Sequence, residues 1–137
     1  KVRFGESFSI TYDIPYAHRH CRVMKMLLQP IVENAIVHGI QPTGKEGHIR
    51  VDSELNDHSL LLRVRDNGIG IDPNRVPGLL SSPQVNTIDG HRQIALYNVQ
   101  RRIQLHYGEE YGLKIDAPRE GGTRVALSLP LLGEGYG

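Results

Sequence analysis

A strand-like run that ends in an acid followed by glycines constrains the fold more than any other feature of the chain. Residues 60–65 read LLLRVR, and residues 66–71 read DNGIGI. If Leu62 and Val64 form the buried face of a strand, the two-residue period of a strand places Asp66 on that same face. Because burying an unpaired carboxylate is costly, we expect a partner or a ligand beside Asp66.

The two glycines that follow Asp66 widen the range of backbone conformations available to this segment. Glycine adopts positive φ angles and lets a ligand approach the main chain closely. A buried acceptor beside Gly68 and Gly70 suits a base-shaped ligand with an exocyclic amino donor, such as adenine. The alternative is that Asn67-Gly68 is the turn of a β-hairpin, which this dipeptide most often forms. The hexapeptide alone leaves both interpretations open.

Size, charge and cysteine content narrow the class of protein. A chain of 137 residues is enough for one domain with a single core. A net charge of +1 gives no support for nucleic-acid binding. The single cysteine, Cys21, excludes an intramolecular disulfide and fits a reducing compartment. No apolar run approaches the roughly 18 residues of a membrane span, so we expect a soluble domain without direct membrane contact, and a reducing compartment such as the cytoplasm fits it.

Hydrophobic periodicity predicts elements in the order β, α, β, β, α, β, β. Residues 7–14 alternate like a strand, and residues 24–39 have the period of a helix, with Pro30 in its first turn or at a kink. Two strands follow around a turn at Asn56-Asp57, and the last two come near the C-terminus. This order predicts an α+β fold: a two-layer sandwich with helices on one face of a mixed, mostly antiparallel sheet of about five strands.

A long segment without a period separates the second strand pair from the second helix. Residues 72–93 contain Pro, Gly, Ser and Asn throughout, and this length exceeds that of ordinary loops, so we expect a mobile lid. The helix that follows has an apolar face from Leu96 to Tyr107 and is predicted to end at Gly108.

Three polar residues of the first helix are candidates for phosphate chemistry. Asn34 and His38 lie on neighbouring turns of one face, where an amide oxygen suits Mg²⁺ and an imidazole suits a phosphate oxygen. Glu33 lies about 100° from Asn34 around the helix, so a catalytic base at that position would act from the cavity rim. Each has a structural alternative. Asn34 could be a hydrogen-bonded helix residue, His38 a half-exposed imidazole near the helix C-terminus, and Glu33 a solvated surface acid.

Four segments form an ordered series of motifs. They are residues 28–39 (LQPIVENAIVHG), 66–71 (DNGIGI), 96–103 (LYNVQRRI) and 121–123 (GGT). In this order they resemble the asparagine box, the first glycine box, the helix after the lid and the last turn of the catalytic domain of sensor histidine kinases. The asparagine box has the form of the LytS/YesM-like branch. The resemblance covers nearly the whole chain and implies the Bergerat (GHKL) fold, shared with gyrase, Hsp90 and MutL.

The resemblance implies a site for ATP and Mg²⁺. Asp66 would bind the adenine amino group, directly and through water, and Thr123 would support the base pocket. Asn34 would coordinate the Mg²⁺ that bridges the phosphates, with His38 near them. The implied nucleotide-binding residues are Asn34, His38, Asp66, Gly68, Gly70, Leu96 and Thr123, and Glu33 is the candidate catalytic residue.

The function that the resemblance implies is transfer of the γ-phosphate of Mg-ATP to a histidine on a separate dimerisation domain, and from there to a response regulator. Residues 1–5 look like the end of the connector from that missing domain, residues 6–132 are the catalytic domain and residues 133–137 are a tail. We expect the full-length protein to be attached to the inner or plasma membrane, and the isolated chain not to autophosphorylate.

The stretch before the second helix departs from the family pattern. Family members carry a Gly-x-Gly-x-Gly-Leu-like run, whose backbone amides approach phosphates, but only Gly90 remains here, followed by residues 91–96 (HRQIAL). With His91, Gln93 and Ala95 in this run, the alternative function is a degenerate domain with weak or no ATP turnover that acts as a regulatory interaction module. Side-chain charge from His91 or Arg92 is a hypothetical substitute for the missing glycines.

A second departure bears on hydrolysis. Relatives that attack ATP with water carry a glutamate one helical turn before the metal-binding asparagine, and this position is Pro30. Proline cannot accept a proton, whereas phosphoryl transfer depends mainly on positioning and charge neutralisation. The sequence therefore favours a kinase over a water-using ATPase.

Overall fold

The described part of the chain forms one sheet and two helices. The computed structural model describes residues 8–14, 22–40, 43–44, 46–56, 59–71, 74 and 90–130. The strands are β1 (Phe8–Asp13), β2 (Gly47–Leu55), β3 (Ser59–Asp66), β4 (Gly112–Asp116) and β5 (Thr123–Pro130), and the helices are α1 (Arg22–Asn34) and α2 (Gly90–Tyr107). A π-helical segment, Ala35–Ile40, continues α1. The predicted order of elements is confirmed.

The sheet is mixed and mostly antiparallel, as predicted. Its strand order is β1-β2-β3-β5-β4. Only β1 and β2 pair in parallel among the described strands, and the other three pairs are antiparallel. A parallel pair needs a crossover connection, which α1 and the π-helical segment supply between β1 and β2.

The core lies between the sheet and the helices. Helices α1 and α2 pack against each other, α2 packs on β4 and β5, and the π-helical segment packs on β2 and β3. Alternate strand residues are buried on this side, and the predicted apolar face of α2 is buried with them. Fully buried side chains include Val51, Leu62, Val64, Leu96, Val99, Ile103 and Leu127. None of the described helices is long and apolar enough to cross a membrane.

The first helix differs from its prediction at both ends. It begins at Arg22, so Pro30 lies in its interior rather than in its first turn, where the ring removes one i→i−4 hydrogen bond. At the other end, Gly39 does not stop the helix, because the π-helical segment continues through Ile40. Thr43 Oγ1 then donates to the Ile40 carbonyl at 2.7 Å and supplies that orphan acceptor with a partner.

The second helix begins earlier and ends where predicted. It starts at Gly90, so residues 90–93, assigned to the lid from the sequence, belong to α2. Apart from Asn74, the rest of the predicted lid lies outside the described residues, as do residues 1–5 and 133–137. Gly108 has a φ of 115° and its amide donates to the Gln104 carbonyl at 2.9 Å, which closes the helix.

Candidate functional site

Asp66 is the last residue of β3 and is aimed into the protein. It is only 3% exposed, and Leu62 and Val64 on the same face are buried too, which confirms the orientation predicted from the period. Its Oδ1 accepts a hydrogen bond from the Gly68 amide at 2.8 Å. This Asx-type turn bends the chain directly after the strand.

Thr123 lies beside Asp66 on the neighbouring strand. The two residues are direct cross-strand partners in the β3–β5 pair, and Thr123 is completely buried. Its Oγ1 is buried without a hydrogen-bond partner among the described residues. Because native proteins rarely leave a buried hydroxyl unsatisfied, such a group marks a place for water or a ligand. Together the carboxylate and the hydroxyl fit a heterocycle that has both donor and acceptor atoms.

Glycine backbones pack against the main chain of Asp66. Gly122 has a φ of 79°, and a Cβ there would overlap the Asp66 carbonyl oxygen. Gly70 has a φ of 82°, and a Cβ there would lie 3.1 Å from the Gly122 carbonyl oxygen. The turn after β3 and the turn before β5 are therefore stacked, and Gly70 has a packing role besides the nucleotide role predicted for it.

The first helix brings Asn34 inside and leaves Glu33 outside. Asn34 is the last residue of α1 and is 5% exposed. Glu33 is exposed, and its Oε2 accepts a hydrogen bond from Gln29 Nε2 at 3.2 Å. This arrangement matches the interpretation of Glu33 as a surface acid, and its catalytic role stays a prediction.

His38 lies in the π-helical segment and is half-buried. Hydrogen bonds of a π-helix span five residues, so His38 lies less than one turn beyond Asn34 rather than one α-helical turn away. Ile40, at the end of the segment, packs so closely on Gly47 that a Cβ there would overlap its side chain. Since Gly47 begins β2 two residues before Ile49, the partner of Asp66, the segment ends at the same end of the sheet as Asp66.

Leu96 is completely buried in α2, where core packing accounts for it. Its predicted contact with a nucleotide stays a prediction. No cluster of three or more His, Cys, Asp or Glu side chains among the described residues could hold a metal ion. The donor set fits Mg²⁺ only in the form predicted, with Asn34 as one oxygen ligand and phosphate oxygens and waters as the others.

A pair of hydrogen bonds joins Asn67 to β2. Asn67 Oδ1 accepts from the His48 amide at 2.7 Å, and the Asn67 amide donates to the His48 carbonyl at 3.2 Å. The sequence suggests only a turn at Asn67. The hydrogen bonds to His48 could not be predicted, because His48 is 19 positions away along the chain. No local pattern carries that information.

The other face of the sheet, away from the helices, carries ion pairs. We call it the open face, and its arginines include Arg50, Arg65 and Arg124. Arg65, next to Asp66, donates to Glu120 at 2.8 Å, and this hydrogen bond is the main cause that lowers the pKa of Glu120 below its usual 4.5. A cavity of about 210 Å³ touches Asp66 from this side and is lined by His48, Arg50 and Arg65 among others. Asn34 and Thr123 do not line it, so it is distinct from the predicted base pocket.

Comparison with known proteins finds sensor histidine kinases. The sensor histidine kinase YesM of Bacillus subtilis is 35% identical over 134 residues, which are 98% of this chain and 22% of that protein. The sensor histidine kinase YpdA of Escherichia coli is 38% identical over 130 residues, or 95% of this chain and 21% of that protein. The chain thus spans about a fifth of the length of these relatives.

Solved structures share the fold. The catalytic domain of histidine kinase ThkA superposes with a TM-score of 0.68 at 18% identity, covering 90% of this chain and 80% of that one. Histidine kinase ThkA in complex with the response regulator protein TrrA superposes with a TM-score of 0.64 at 20% identity, covering 93% of this chain and 35% of that one.

The family match covers most of the chain and includes all four motif segments. Residues 22–133 match the family described as histidine kinase-, DNA gyrase B- and HSP90-like ATPases. Asn34, Asp66 and Thr123 all fall within the matched residues. The chain therefore belongs to the family of histidine kinase-, DNA gyrase B- and HSP90-like ATPases.

Proposed function

We propose that this chain is the ATP-binding catalytic domain of a sensor histidine kinase, which transfers the γ-phosphoryl group of Mg-ATP to a histidine on a separate dimerisation domain. The observation that carries the proposal is the cross-strand pair of Asp66 and Thr123, in which a buried carboxylate lies beside a buried hydroxyl that lacks a partner among the described residues. Family membership and the likeness to YesM and YpdA support it.

Adenine is the base that this pair suits. Its 6-amino group donates, so it complements a carboxylate acceptor, and its ring nitrogens accept, so they complement a hydroxyl donor. Guanine presents a carbonyl oxygen at the same position, which would oppose the carboxylate. In the proposal Asp66 therefore selects the base, while Thr123 and an ordered water complete its hydrogen bonds.

The phosphates would extend from the base toward the end of α1. Asn34 would supply an oxygen ligand to Mg²⁺, and His38 would donate to a phosphate oxygen. In the transfer, an imidazole nitrogen of the acceptor histidine forms a bond to the γ-phosphorus while the bond from the γ-phosphorus to the oxygen that bridges it to the β-phosphate breaks, and ADP leaves. Glu33 would act on the acceptor from the cavity rim. Such reactions depend chiefly on positioning and charge neutralisation.

The partners in this proposal lie outside the chain. The dimerisation domain would carry the acceptor histidine, and a response regulator would then receive the phosphoryl group, a proposal supported by the structure of ThkA with its response regulator. We propose a cytoplasmic location for the domain within a membrane-attached protein.

Substitution of Asp66 by asparagine tests the proposal. Asp66→Asn keeps the size of the side chain but leaves it only one acceptor oxygen, so we expect Mg-ATP affinity to fall at least about tenfold, which corresponds to about 1.4 kcal/mol. The melting temperature should change by no more than a few degrees. Isothermal titration calorimetry and thermal unfolding measure the two effects.

A matched control is Asp116→Asn, which removes an exposed carboxylate that pairs with Arg124 on the open face. It should leave nucleotide affinity unchanged. If Asp66→Asn instead lowers the melting temperature strongly and leaves affinity intact, Asp66 is structural and the proposal is wrong.

One observation favours a second candidate, a regulatory module without ATP turnover. Helix α2 begins at Gly90, so the stretch that should present free backbone amides to phosphates is helical. The first four amides of a helix, those of residues 90–93 here, stay free, but those of residues 94–96 are bonded within the helix and are lost to a phosphate. A folded wild-type chain that gives no heat with millimolar Mg-ATP would favour this candidate over the kinase.

A further inference from the structure

We propose that Asn67 is a positioning residue for the nucleotide site, which anchors the turn after β3 to β2 and thereby sets the direction of the Asp66 carboxylate. The inference rests on the proposed function, because it requires a ligand at Asp66. It adds a residue that would act on binding without touching the nucleotide.

Two hydrogen bonds join Asn67 to His48. One is an ordinary backbone bond of the sheet, and in the other the Asn67 side chain replaces the backbone acceptor. The last register pair of β2 and β3 is Ile49 with Asp66. One residue further, the Asn67 amide donates to the His48 carbonyl at 3.2 Å, as a strand residue would. The His48 amide, however, donates to the side-chain Oδ1 of Asn67 at 2.7 Å.

The side-chain acceptor explains how the chain can turn at Asn67. Because the side chain satisfies the His48 amide, the main-chain carbonyl of Asn67 is released from that role and the backbone can leave the sheet. The turn that follows brings the Gly68 amide to 2.8 Å from Asp66 Oδ1. The direction of the carboxylate is therefore fixed by a bond whose donor is held in place by Asn67.

His48, to which Asn67 is bonded, is in turn held by β1. His48 pairs with Ser9 of β1 in the parallel register, and His48 Nδ1 lies 2.8 Å from Ser9 Oγ. On the other side, Gly122 packs on the Asp66 carbonyl. Asn67 thus ties the turn to a residue of β2 that is itself paired with β1, while the contact with Gly122 holds the turn on the other side.

Asn67 is exposed, so its loss should affect the site more than the fold. Any side chain with an acceptor oxygen at the same distance can take its place, and aspartate does so with the same shape. Alanine cannot. This predicts that Asn67→Ala impairs binding and that Asn67→Asp retains it.

The matched control lies at the other end of the same strand pair. Asn56 also bridges the β2–β3 connection, where its amide donates to the Ser59 carbonyl at 2.8 Å and its Nδ2 donates to Ser59 Oγ at 3.4 Å. Asn56→Ala makes the same change of side chain at an exposed turn of the same strand pair, far from Asp66, and removes a longer hydrogen bond. It should lower the melting temperature by no more than a few degrees and leave nucleotide binding unchanged.

The experiment measures ATP and GTP affinity for the wild type and the three variants by calorimetry, and the exchange rate of the His48 amide in nucleotide-free protein by NMR. We expect the wild type to prefer ATP, because the group at position 6 of the base is a donor toward Asp66 in adenine and an acceptor in guanine. In Asn67→Ala we expect the His48 amide to exchange faster and the ATP affinity to fall by about tenfold. The ratio of ATP affinity to GTP affinity should also decrease. Asn67→Asp should restore all three.

The ratio of affinities distinguishes positioning from general weakening of the fold. A wild-type preference for ATP that survives unchanged in Asn67→Ala contradicts this inference alone, as does an Asn67→Asp variant that recovers His48 protection but not selectivity. A wild-type chain without preference for ATP over GTP contradicts the proposed function, and this inference falls with it.

Discussion

Thr123 and Asp66 are neighbours across two strands, but they differ in how their polar atoms are satisfied. Asp66 accepts a bond from the Gly68 amide, whereas the Thr123 hydroxyl has no partner among the described residues. A buried polar group without a partner costs about 1–3 kcal/mol. The protein carries this cost at the position where the proposed base pocket lies, as expected of a group kept for a ligand.

Replacing Thr123 by valine should therefore move stability and binding in opposite directions. Valine has nearly the same shape and no hydroxyl, so we expect the nucleotide-free protein to gain about 1 kcal/mol in unfolding free energy. We expect Mg-ATP affinity to fall severalfold, because the base loses a hydrogen-bond partner. Urea unfolding and calorimetry measure the two changes.

Thr43→Val is the control for this substitution. Thr43 Oγ1 already donates to the Ile40 carbonyl at 2.7 Å, so the same change of side chain should lower stability there. A Thr123→Val variant that loses both stability and affinity would show that the hydroxyl has a structural partner, and would remove this support for the base pocket.

The turn between β4 and β5 contains two glycines, the second of which packs on the main chain of Asp66. Both Gly121 and Gly122 have positive φ, at 105° and 79°, but their surroundings differ. A Cβ at Gly121 would meet nothing within 4 Å, while one at Gly122 would overlap the Asp66 carbonyl oxygen. Backbone strain is therefore common to both positions, and steric overlap occurs at only one.

Alanine substitutions separate these two effects. For Gly121→Ala we expect a loss of about 1–2 kcal/mol in unfolding free energy from strain. For Gly122→Ala we expect roughly 3–5 kcal/mol, because the turn must also move away from Asp66. Denaturant unfolding measures both. Equal losses would mean that the backbone contact between Gly122 and Asp66 contributes nothing.

The elements show which parts of the structure a sequence can predict. The period of β3 was enough to place Asp66 inside, because strand side chains alternate strictly. The apolar stripe from Leu96 to Tyr107 and the stop at Gly108 predicted the body and the end of α2 for similar local reasons. These features depend on residues within one element.

Features that depend on distant residues were missed or misplaced. The π-helical segment Ala35–Ile40 packs on β2 and β3, and the α-helical period of the sequence does not predict it. The start of α2 at Gly90 was misplaced because the apolar stripe begins only at Leu96. The bond between Asn67 and His48 and the register of Asp66 with Thr123 require strand neighbours, which no local pattern specifies.

At the scale of the whole molecule, the sheet has one apolar face under the helices and one charged open face. On the open face Arg50, Arg65 and Arg124 are direct cross-strand neighbours on β2, β3 and β5. Like charges in such positions repel each other. Each arginine has an acidic partner: Arg50 lies 2.6 Å from Asp13, Arg65 2.8 Å from Glu120, and Arg124 3.0 Å from Asp116.

Arg63 extends this network toward the other end of β2. It lies 2.7 Å from Asp52 and 2.9 Å from Glu54. The hydrogen bond from Arg63 to Asp52 is the main cause that raises the pKa of the guanidinium, and the charge of Asp52 and the hydrogen bond to Glu54 add to it. The acids therefore allow arginines to line neighbouring strands, and stability should depend on their ionisation.

Glu120 is the acid for which this dependence can be tested. Its pKa is lowered from the usual 4.5, first by the hydrogen bond from Arg65. A lowered folded-state pKa means that the stabilisation is present above the unfolded pKa and is lost as pH falls through the folded pKa. Between about pH 5 and pH 3, the melting temperature of the wild type should fall more steeply than that of Glu120→Gln.

The two proteins should converge at the acid end, because protonated glutamate and glutamine are both neutral there. The difference should be small and should shrink in high salt, since the pair is exposed. Glu109→Gln, which neutralises an exposed acid in the turn after α2, is the control for the loss of one negative charge. If the curves of Glu120→Gln and the wild type run parallel from neutral to acid pH, Arg65 does not stabilise the ionised form of Glu120, and the repulsion along the arginine row must be relieved by the other acids alone.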